Sequence, residues 1–458
     1  LIQIRMIRPD LPNPRHPRSI YRRLAMGHVV NHPKTYRLLQ QRLDRQVTGA
    51  PDSPALQQIL RLLFRPEEAE LACQIPTAFI SLSRLARKSG IDPERLDAMI
   101  TTMAERGLVF DAEHNNKRYV ALAPVVIGFF EFTFMRVRPD YPMHELAELF
   151  EQYMFENEAF AHAVFAGQNQ IGRSLVREEA LPAGDHTEVL DWERASHIVE
   201  SAKAHAVSLC ACRHHASHLD RACERPQRTC LTLGGAAEML ARRGIAERIS
   251  RSEAMEILET SKAAGLAQTG DNVQRNVSYI CNCCGCCCGM MNAIRRYEIK
   301  NAIVTSNYMA SVDPERCTGC SKCVKACPVG ALKLVVGEKD GKRRGWVVRD
   351  ETLCLGCGVC YGTCDKGALS MQKRAQRVLP PETTFERVVT MAVERGKLGD
   401  LLFDNGEGLT AQALARVVQT VEKLPPTQAL LAIAPLRSIF LAGVINSARR
   451  MSPAAEIV

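Results

Sequence analysis

The sequence predicts a multidomain α+β protein, and three observations carry that expectation. At 458 residues it is longer than one core usually organises, while 46% hydrophobic and 24% charged residues are ordinary for globular domains. Helical periodicity alternates with short strand-like runs instead of settling into one pattern. Nineteen cysteines are present, and all except Cys73 lie between Cys210 and Cys364.

From the N-terminus, residues 1–66 read as a basic arm passing into helix. Residues 1–48 carry ten Lys or Arg against Asp10 and Asp44, which accounts for most of the formal net charge of +9. Such an arm can meet nucleic acid, anionic lipid or an acidic partner, or remain a solvated tail.

Residues 67–135 form the next unit. Ser81 is placed to cap a short helix that Gly90 ends. Asp92 then caps a second helix with Pro93 at its first position. Ile91 and Leu96 stand at hydrophobic-staple positions, and Leu96, Met99, Ile100 and Met103 make one apolar face. Gly107 closes that helix, and a polar turn at 114–117 separates two strand-like runs. Over about forty residues this pattern resembles the winged-helix domains of transcription regulators. The second helix nevertheless sets Asp92, Glu94, Asp97 and Glu105 against Arg95 and Arg106, which suits a phosphate-lined groove poorly. No specific DNA binding is expected.

Residues 136–205 read as a helical connector and 206–305 as a cysteine-rich mixed region. Within the latter, Ser250 and Glu253 make a capping-box pattern for a helix ending near Gly265. A compact cysteine unit occupies 306–373, and helical patterns return over 374–458. The longest apolar runs, at 119–130, 425–436 and 438–448, are shorter than the ~18 residues of a membrane span, so no transmembrane segment is expected.

The unit at 306–373 contains a duplication. Cys317, Cys320, Cys323 and Cys327 are followed, 37 residues later, by Cys354, Cys357, Cys360 and Cys364 at the same C-x2-C-x2-C-x3-C spacing. Flanking residues repeat too, since Gly330-Ala331-Leu332 matches Gly367-Ala368-Leu369. Three thiolates two residues apart on a tight loop can wrap one cubane, and structural zinc sites usually show separated C-x2-C pairs instead. Residues 313–370 therefore resemble the dicluster bacterial-type ferredoxins, with two 4Fe–4S clusters in a βαβ-repeat fold. The resemblance implies that Cys317, Cys320, Cys323 and Cys364 hold one cluster, and Cys354, Cys357, Cys360 and Cys327 the other. Two features depart from the family: Asp365 stands where proline usually follows the fourth cysteine, and 335–348 reads as an extra charged hairpin.

Ten further cysteines lie upstream: Cys210, Cys212, Cys223 and Cys230, then Cys281, Cys283, Cys284, Cys286, Cys287 and Cys288. Adjacent cysteines suit metal thiolates better than disulfides, which need separated, well-aimed Cβ atoms, and a reducing cytoplasm is expected. The first four can supply one tetrahedral set, with Cys210 and Cys212 on one face of an extended segment and Cys223 and Cys230 folding back from a loop. A further iron–sulfur cluster or zinc is the expected occupant. His205, His214, His215 and His218 are candidate ligands that read better as exposed polar or helix-surface residues, and Cys73 reads as a small buried apolar residue. The chain as a whole resembles uncharacterised 4Fe–4S ferredoxin-type proteins of anaerobes that carry a winged-helix-like N-terminal region.

No Rossmann fingerprint, P-loop or nucleophile elbow is present. The leading expectation is thus an electron-transfer protein or subunit serving a partner oxidoreductase, more a component of such a system than a stand-alone enzyme. Two alternatives stand beside it: a redox-sensing winged-helix regulator, and an oxidoreductase using an additional metal site within 210–288.

Overall fold

The computed structural model describes residues 32–181, 190–339 and 342–404, with positions 417, 418 and 443. Most of the expected basic arm and nearly all of the helical patterns after residue 404 lie outside the described residues. The chain mixes helices with small antiparallel sheets. Among the described residues, no helix is long and apolar enough to cross a membrane.

Three helices come first: α1 (His32–Asp44), α2 (Pro54–Leu63) and α3 (Pro66–Ala72). Ser53 caps α2, its hydroxyl accepting from Leu56 N at 3.0 Å, and the helix buries Leu56, Ile59, Leu60 and Leu63. Next come β1 (Ile80–Ser81), α4 (Leu82–Ser89), α5 (Pro93–Glu105) and the hairpin β2 (Val109–His114) with β3 (Lys117–Leu122), in the sheet order β1-β3-β2. Asp92 Oδ1 accepts from Glu94 N and Arg95 N at 3.1 Å, as its capping position requires. Ser81 makes no such cap; its hydroxyl meets that of Ser83 at 3.4 Å. Asn115 and Asn116, both at positive φ, turn the hairpin in the manner its twist demands.

An aromatic core follows on α6 (Phe130–Phe134), α7 (Met143–Phe150) and α8 (Glu158–Phe165). It leads into β4 (Gly172–Ser174), α9 (Ala195–Ser201), β5 (His205–Leu209), α10 (Ala211–Ser217), β6 (Arg228–Leu233) and α11 (Gly234–Arg242). The region closes with β7 (Glu247–Ile249), α12 (Arg251–Ala263), β8 (Ala267–Asp271), β9 (Tyr279–Cys283) and α13 (Gly289–Tyr297). Ser250 caps α12 as its sequence pattern foretells, accepting from Glu253 N at 3.2 Å.

The strands make one antiparallel sheet in the order β4-β8-β9-β6-β5-β7. Val207, Leu231 and Ile280 pack on one face with Ile198 and Val199 of α9 and Leu258 of α12. Strand alternation then turns Cys281 and Cys283 to the other face. The β2–β3 hairpin docks against α11: Arg242 donates to Asp111 O at 2.7 Å and pairs with Glu113 at 2.9 Å, while Asp111 takes both Arg118 and Arg243.

The last described part contains β10 (Tyr308–Val312), α14 (Lys322–Ala326), β11 (Leu332–Lys339), β12 (Lys342–Arg349), β13 (Leu369–Lys373), α15 (Thr384–Glu394) and α16 (Leu398–Phe403). Strand β10 pairs with β13, and β11 with β12 over eight residue pairs, which forms the charged hairpin read from sequence. The final helices tie back to the rest of the chain. Arg387 pairs with Asp271 at 3.3 Å, and Asp404 accepts from Arg42 Nη2 at 2.9 Å and Thr77 N at 2.7 Å.

Candidate metal centre

The duplication in sequence is a duplication in space. Cys317 N donates to Asp313 O at 3.0 Å, and 37 residues on, Cys354 N donates to Asp350 O at 3.1 Å. The partners then cross over: Asp313 N donates to Ala368 O (2.8 Å) and Asp350 N to Ala331 O (2.7 Å). Each half thus leans on the other by an approximate two-fold relation. The fourth cysteine of each run receives a backbone donor, Ala331 N to Cys327 Sγ at 3.2 Å and Ala368 N to Cys364 Sγ at 3.3 Å. Amides aimed at sulfur favour the thiolate and help set a cluster's potential.

Gly356 sits at φ 72° within the second loop, where a Cβ would collide with Tyr308 O and the Ser306 hydroxyl. Its counterpart Gly319, at φ 67°, would meet Gly345 O at 2.6 Å. Both loops therefore need glycine for conformation and for space.

The structure brings the thiols together across the two runs. Cys323 has Cys317 and Cys364 as its electrostatic neighbours among the cysteines, and Cys357 has Cys327 and Cys354. A small cavity is lined by Cys327, Cys354, Cys357 and Cys360, together with Pro328 and Met371. The donor set around it, four thiols with an amide bonded to one sulfur, fits a 4Fe–4S cluster. Burial pushes the Cys357 thiol up to about 12, so a cation is needed to hold it as thiolate at neutral pH. Cys360 has Cys323 as a further neighbour, linking the two groups. Exposure is uneven: Cys320 is exposed, Cys327 and Cys364 are half-buried, and the other five are buried. Asp365 carries a salt bridge from Lys322 at the surface.

The ten upstream cysteines fall into two groups that differ from the expected one. Cys223, Cys284, Cys286 and Cys287 have their sulfurs within 4.8 Å of one another and could hold a metal ion. The other six form a continuous series of sulfur contacts: Cys210 with Cys212, Cys212 with Cys288, Cys288 with Cys283, Cys283 with Cys281, and Cys281 with Cys230. The set Cys210, Cys212, Cys223 and Cys230 does not assemble. Cys230 is already on β6, whose register brings it beside β9, whereas Cys223 lies in the loop before that strand. Cys210 and Cys212 still meet, through a helix start and not an extended segment, because Cys210 is the N-cap of α10. The split at Cys283 and Cys284 follows from the end of β9, where adjacent side chains leave on opposite sides.

Thiols this crowded cannot all ionise. Cys283 falls to about 6, chiefly through the hydrogen bond from Cys281, while Cys281 is driven up, chiefly by Cys230. Cys284 falls to about 4 through its bond from Cys287, and Cys287 rises in turn. Only cations bound among them can hold every sulfur as thiolate.

Arg213, fully buried, lies between the two groups. Its guanidinium donates to Asn282 O at 3.0 Å and to Thr229 Oγ1, and has Cys210, Cys284 and Cys283 as electrostatic neighbours. Sequence reasoning missed this residue, since nothing in its surroundings distinguishes it from a surface arginine.

The histidines are buried, not exposed as expected, with the exception of half-buried His218. His205, His214 and His215 meet the carbonyls of Val199, Phe134 and Ala147 at 2.7, 2.8 and 2.9 Å, and His215 stacks on Phe155. Cys73 is half-buried against the N-terminal core, its thiol directed at Thr35 O.

A cavity of about 1720 Å³ opens between the β2–β3 hairpin, the aromatic core and the cysteine-bearing face of the sheet. All six cysteines of the connected series line it, as does Cys284 of the other group, whereas Cys223, Cys286 and Cys287 do not. Glu131 is a second site residue missed from sequence, although it is the sole charged residue in 119–135, which was a readable signal. Gly128 N donates to its carboxylate at 3.0 Å, from a loop in which Ile127 is held at φ 49°. A β-branched residue there is strained and must be held by its surroundings. Burial outweighs the backbone donors and raises Glu131 to about 7.

Residues 310–333, which contain Cys317, Cys320, Cys323 and Cys327, match the 4Fe-4S binding domain family. The match supports iron–sulfur, metal-binding chemistry at these residues, of the kind used in electron transfer. No curated protein and no solved structure matches the chain.

Proposed function

We propose that the chain is an iron–sulfur electron-transfer protein or subunit that passes single electrons through two 4Fe–4S clusters to or from a partner oxidoreductase. Cys317, Cys320, Cys323 and Cys364 hold one cluster, and Cys354, Cys357, Cys360 and Cys327 the other. Bound there, each cluster supplies one-electron redox chemistry. The observation that carries the reading is the crossing of the two runs, in which Cys327 joins the loop of Cys354 and Cys357 while Cys364 joins that of Cys317 and Cys323. The match over residues 310–333 supports the same chemistry for the first run.

The two sets differ in their exposure. Exposed Cys320 makes the first set the contact point for a soluble carrier, and buried Cys357 and Cys360 insulate the second set from water. Residues 80–122 are read as a winged helix retained for docking within the chain. Asp97 is paired with Arg118 at 2.5 Å, and the hairpin that would reach a duplex is bound to Arg242 and Arg243. This arrangement favours electron transfer over the redox-sensing regulator.

Anaerobic reconstitution tests the reading. The chain should take up iron and inorganic sulfide in at least the amounts two 4Fe–4S clusters require. Cys327→Ser should perturb the paramagnetic signal of the Cys354 loop, and Cys364→Ser that of the Cys317 loop. Zinc without sulfide in this unit would overturn it.

A further inference from the structure

The ferredoxin-like unit does not end at its own eight cysteines. Gly285 packs against Pro328, the residue after Cys327, so closely that a Cβ on it would lie 2.6 Å from Pro328 O. Gly285 is itself flanked by Cys284 and Cys286, two of the four clustered thiols. Cys284 adjoins Cys283 in the chain, and Arg213 lies beside both. Thiols therefore stand on both sides of the Gly285–Pro328 contact, those of the ferredoxin-like unit on one side and those that reach the wall of the large cavity on the other.

We propose that Cys210, Cys212, Cys230, Cys281, Cys283 and Cys288 hold a polynuclear iron–sulfur centre, distinct from any metal at Cys223, Cys284, Cys286 and Cys287, with a face open to the cavity where a small molecule binds. Two independent observations meet here. The six sulfurs form one contiguous series, and all six line the cavity.

Six thiols exceed the four of a single tetrahedral ion, so one mononuclear site leaves some without a role. Their placement also suits a site for chemistry better than a structural one. Cys281, Cys283 and Cys230 stand on central strands of a six-stranded sheet, which fixes them rigidly. Cys210, Cys212, Cys230 and Cys281 are only half-buried, and the face they share is a cavity large enough for a ligand well beyond water. Thr269 Oγ1 lies 3.2 Å from Cys283 Sγ, and buried Arg213 supplies a cation beside the thiols. This inference rests on the electron-transfer reading above and extends it: electrons entering from a reduced one-electron carrier reach a molecule bound in the chain's own cavity.

The test uses the full chain, reconstituted anaerobically with iron and sulfide, and three variants. Cys210→Ser with Cys212→Ser should lose one block of iron and sulfide and one spectroscopic component, leaving the ferredoxin-type signals unchanged. Cys286→Ser with Cys287→Ser should lose a different component. Cyanide or carbon monoxide, as a probe ligand, should shift only the component that the first variant lacks. Cys281→Ser repeats the first test from the sheet, guarding against a misfolded helix start, and near-ultraviolet circular dichroism checks the fold of each variant. Loss of the same component from both double variants overturns the proposal. So does zinc without sulfide at the six cysteines, unchanged iron in a folded Cys281→Ser chain, or indifference to both probe ligands. Failure of the electron-transfer reading looks different, as absent ferredoxin-type signals in the unmodified chain.

Discussion

Replacing Glu131 by Gln should make the metal-free chain more stable at alkaline pH and leave it nearly unchanged at pH 5. Glu131 has an ordinary carboxyl value of 4.5 when unfolded and about 7 when folded, because burial against the aromatic core outweighs the donors from Gly128, its own amide and Ile127. Between those values the folded chain holds a proton that the unfolded chain has released, so a rise in pH favours unfolding. The stabilising contribution is complete below about pH 4.5 and is lost as pH rises through 7. At about 1.4 kcal/mol per pH unit, the gap corresponds to roughly 3 kcal/mol. Because the carboxyl faces a cavity that admits solvent, about 1–3 kcal/mol is the expected range. Gln keeps an acceptor for Gly128 N and cannot ionise. Urea unfolding of both chains, reduced and metal-free under argon, at pH 5, 6, 7 and 8 measures the difference, and other titrating groups such as His215 cancel. A difference that does not change with pH, or that grows towards acid, would refute the reasoning.

Gly285→Ala should cost about 1–3 kcal/mol in the same unfolding assay, because the new Cβ meets backbone at Pro328 and not a yielding side chain. Arg213→Met should cost about 1–3 kcal/mol, since it leaves Asn282 O and Thr229 Oγ1 without their donor; a midpoint within error of the parent chain would remove Arg213 from the site's support. In the metal-free chain, limiting iodoacetamide followed by mass spectrometry should label Cys320 first, as it is exposed and its thiol is lowered chiefly by the Lys322 amide. Faster labelling of Cys357 or Cys360 would contradict the burial described.

The cysteine pattern of residues 306–373 was legible because it is local: the spacing of each run, its repeat after 37 residues and the glycines of its loops are all written along the chain, and the family match falls on the first run. The helix starts at Asp92 and Ser250 were legible for the same reason, since a cap and its donor lie three residues apart. The grouping of the upstream cysteines was not. Cys223 and Cys230 look equivalent on one polar loop until β6 begins at Arg228 and draws Cys230 into the sheet. Whether Cys283 and Cys284 serve one site or two depends on where β9 ends, which is a matter of strand pairing and not of spacing. The histidines near Cys212 misled for a related reason. Their partners are carbonyls 68 and 80 residues away for His215 and His214, so no local pattern could mark them as buried.

The same long-range contacts argue that the ferredoxin-like unit and the cysteine-rich sheet act as one device. Gly356 seats on Tyr308 and Ser306, and Gly358 on Arg177, whose guanidinium in turn donates to Lys262 O at 2.8 Å at the end of α12. Arg374 donates to Cys354 O and to Ser306 O, closing the second loop against the strand that enters the unit. On the other side, the CC-G-CCC run places a residue without a side chain against Pro328 and thiols on either side of it. That glycine is required by proximity, because any larger residue would meet the Pro328 backbone. A close backbone approach brings the two sets of thiols near each other, as the proposed path for single electrons needs. On the proposal above, the extra cysteines continue the path of the ferredoxin-like unit and the large cavity is where that path ends.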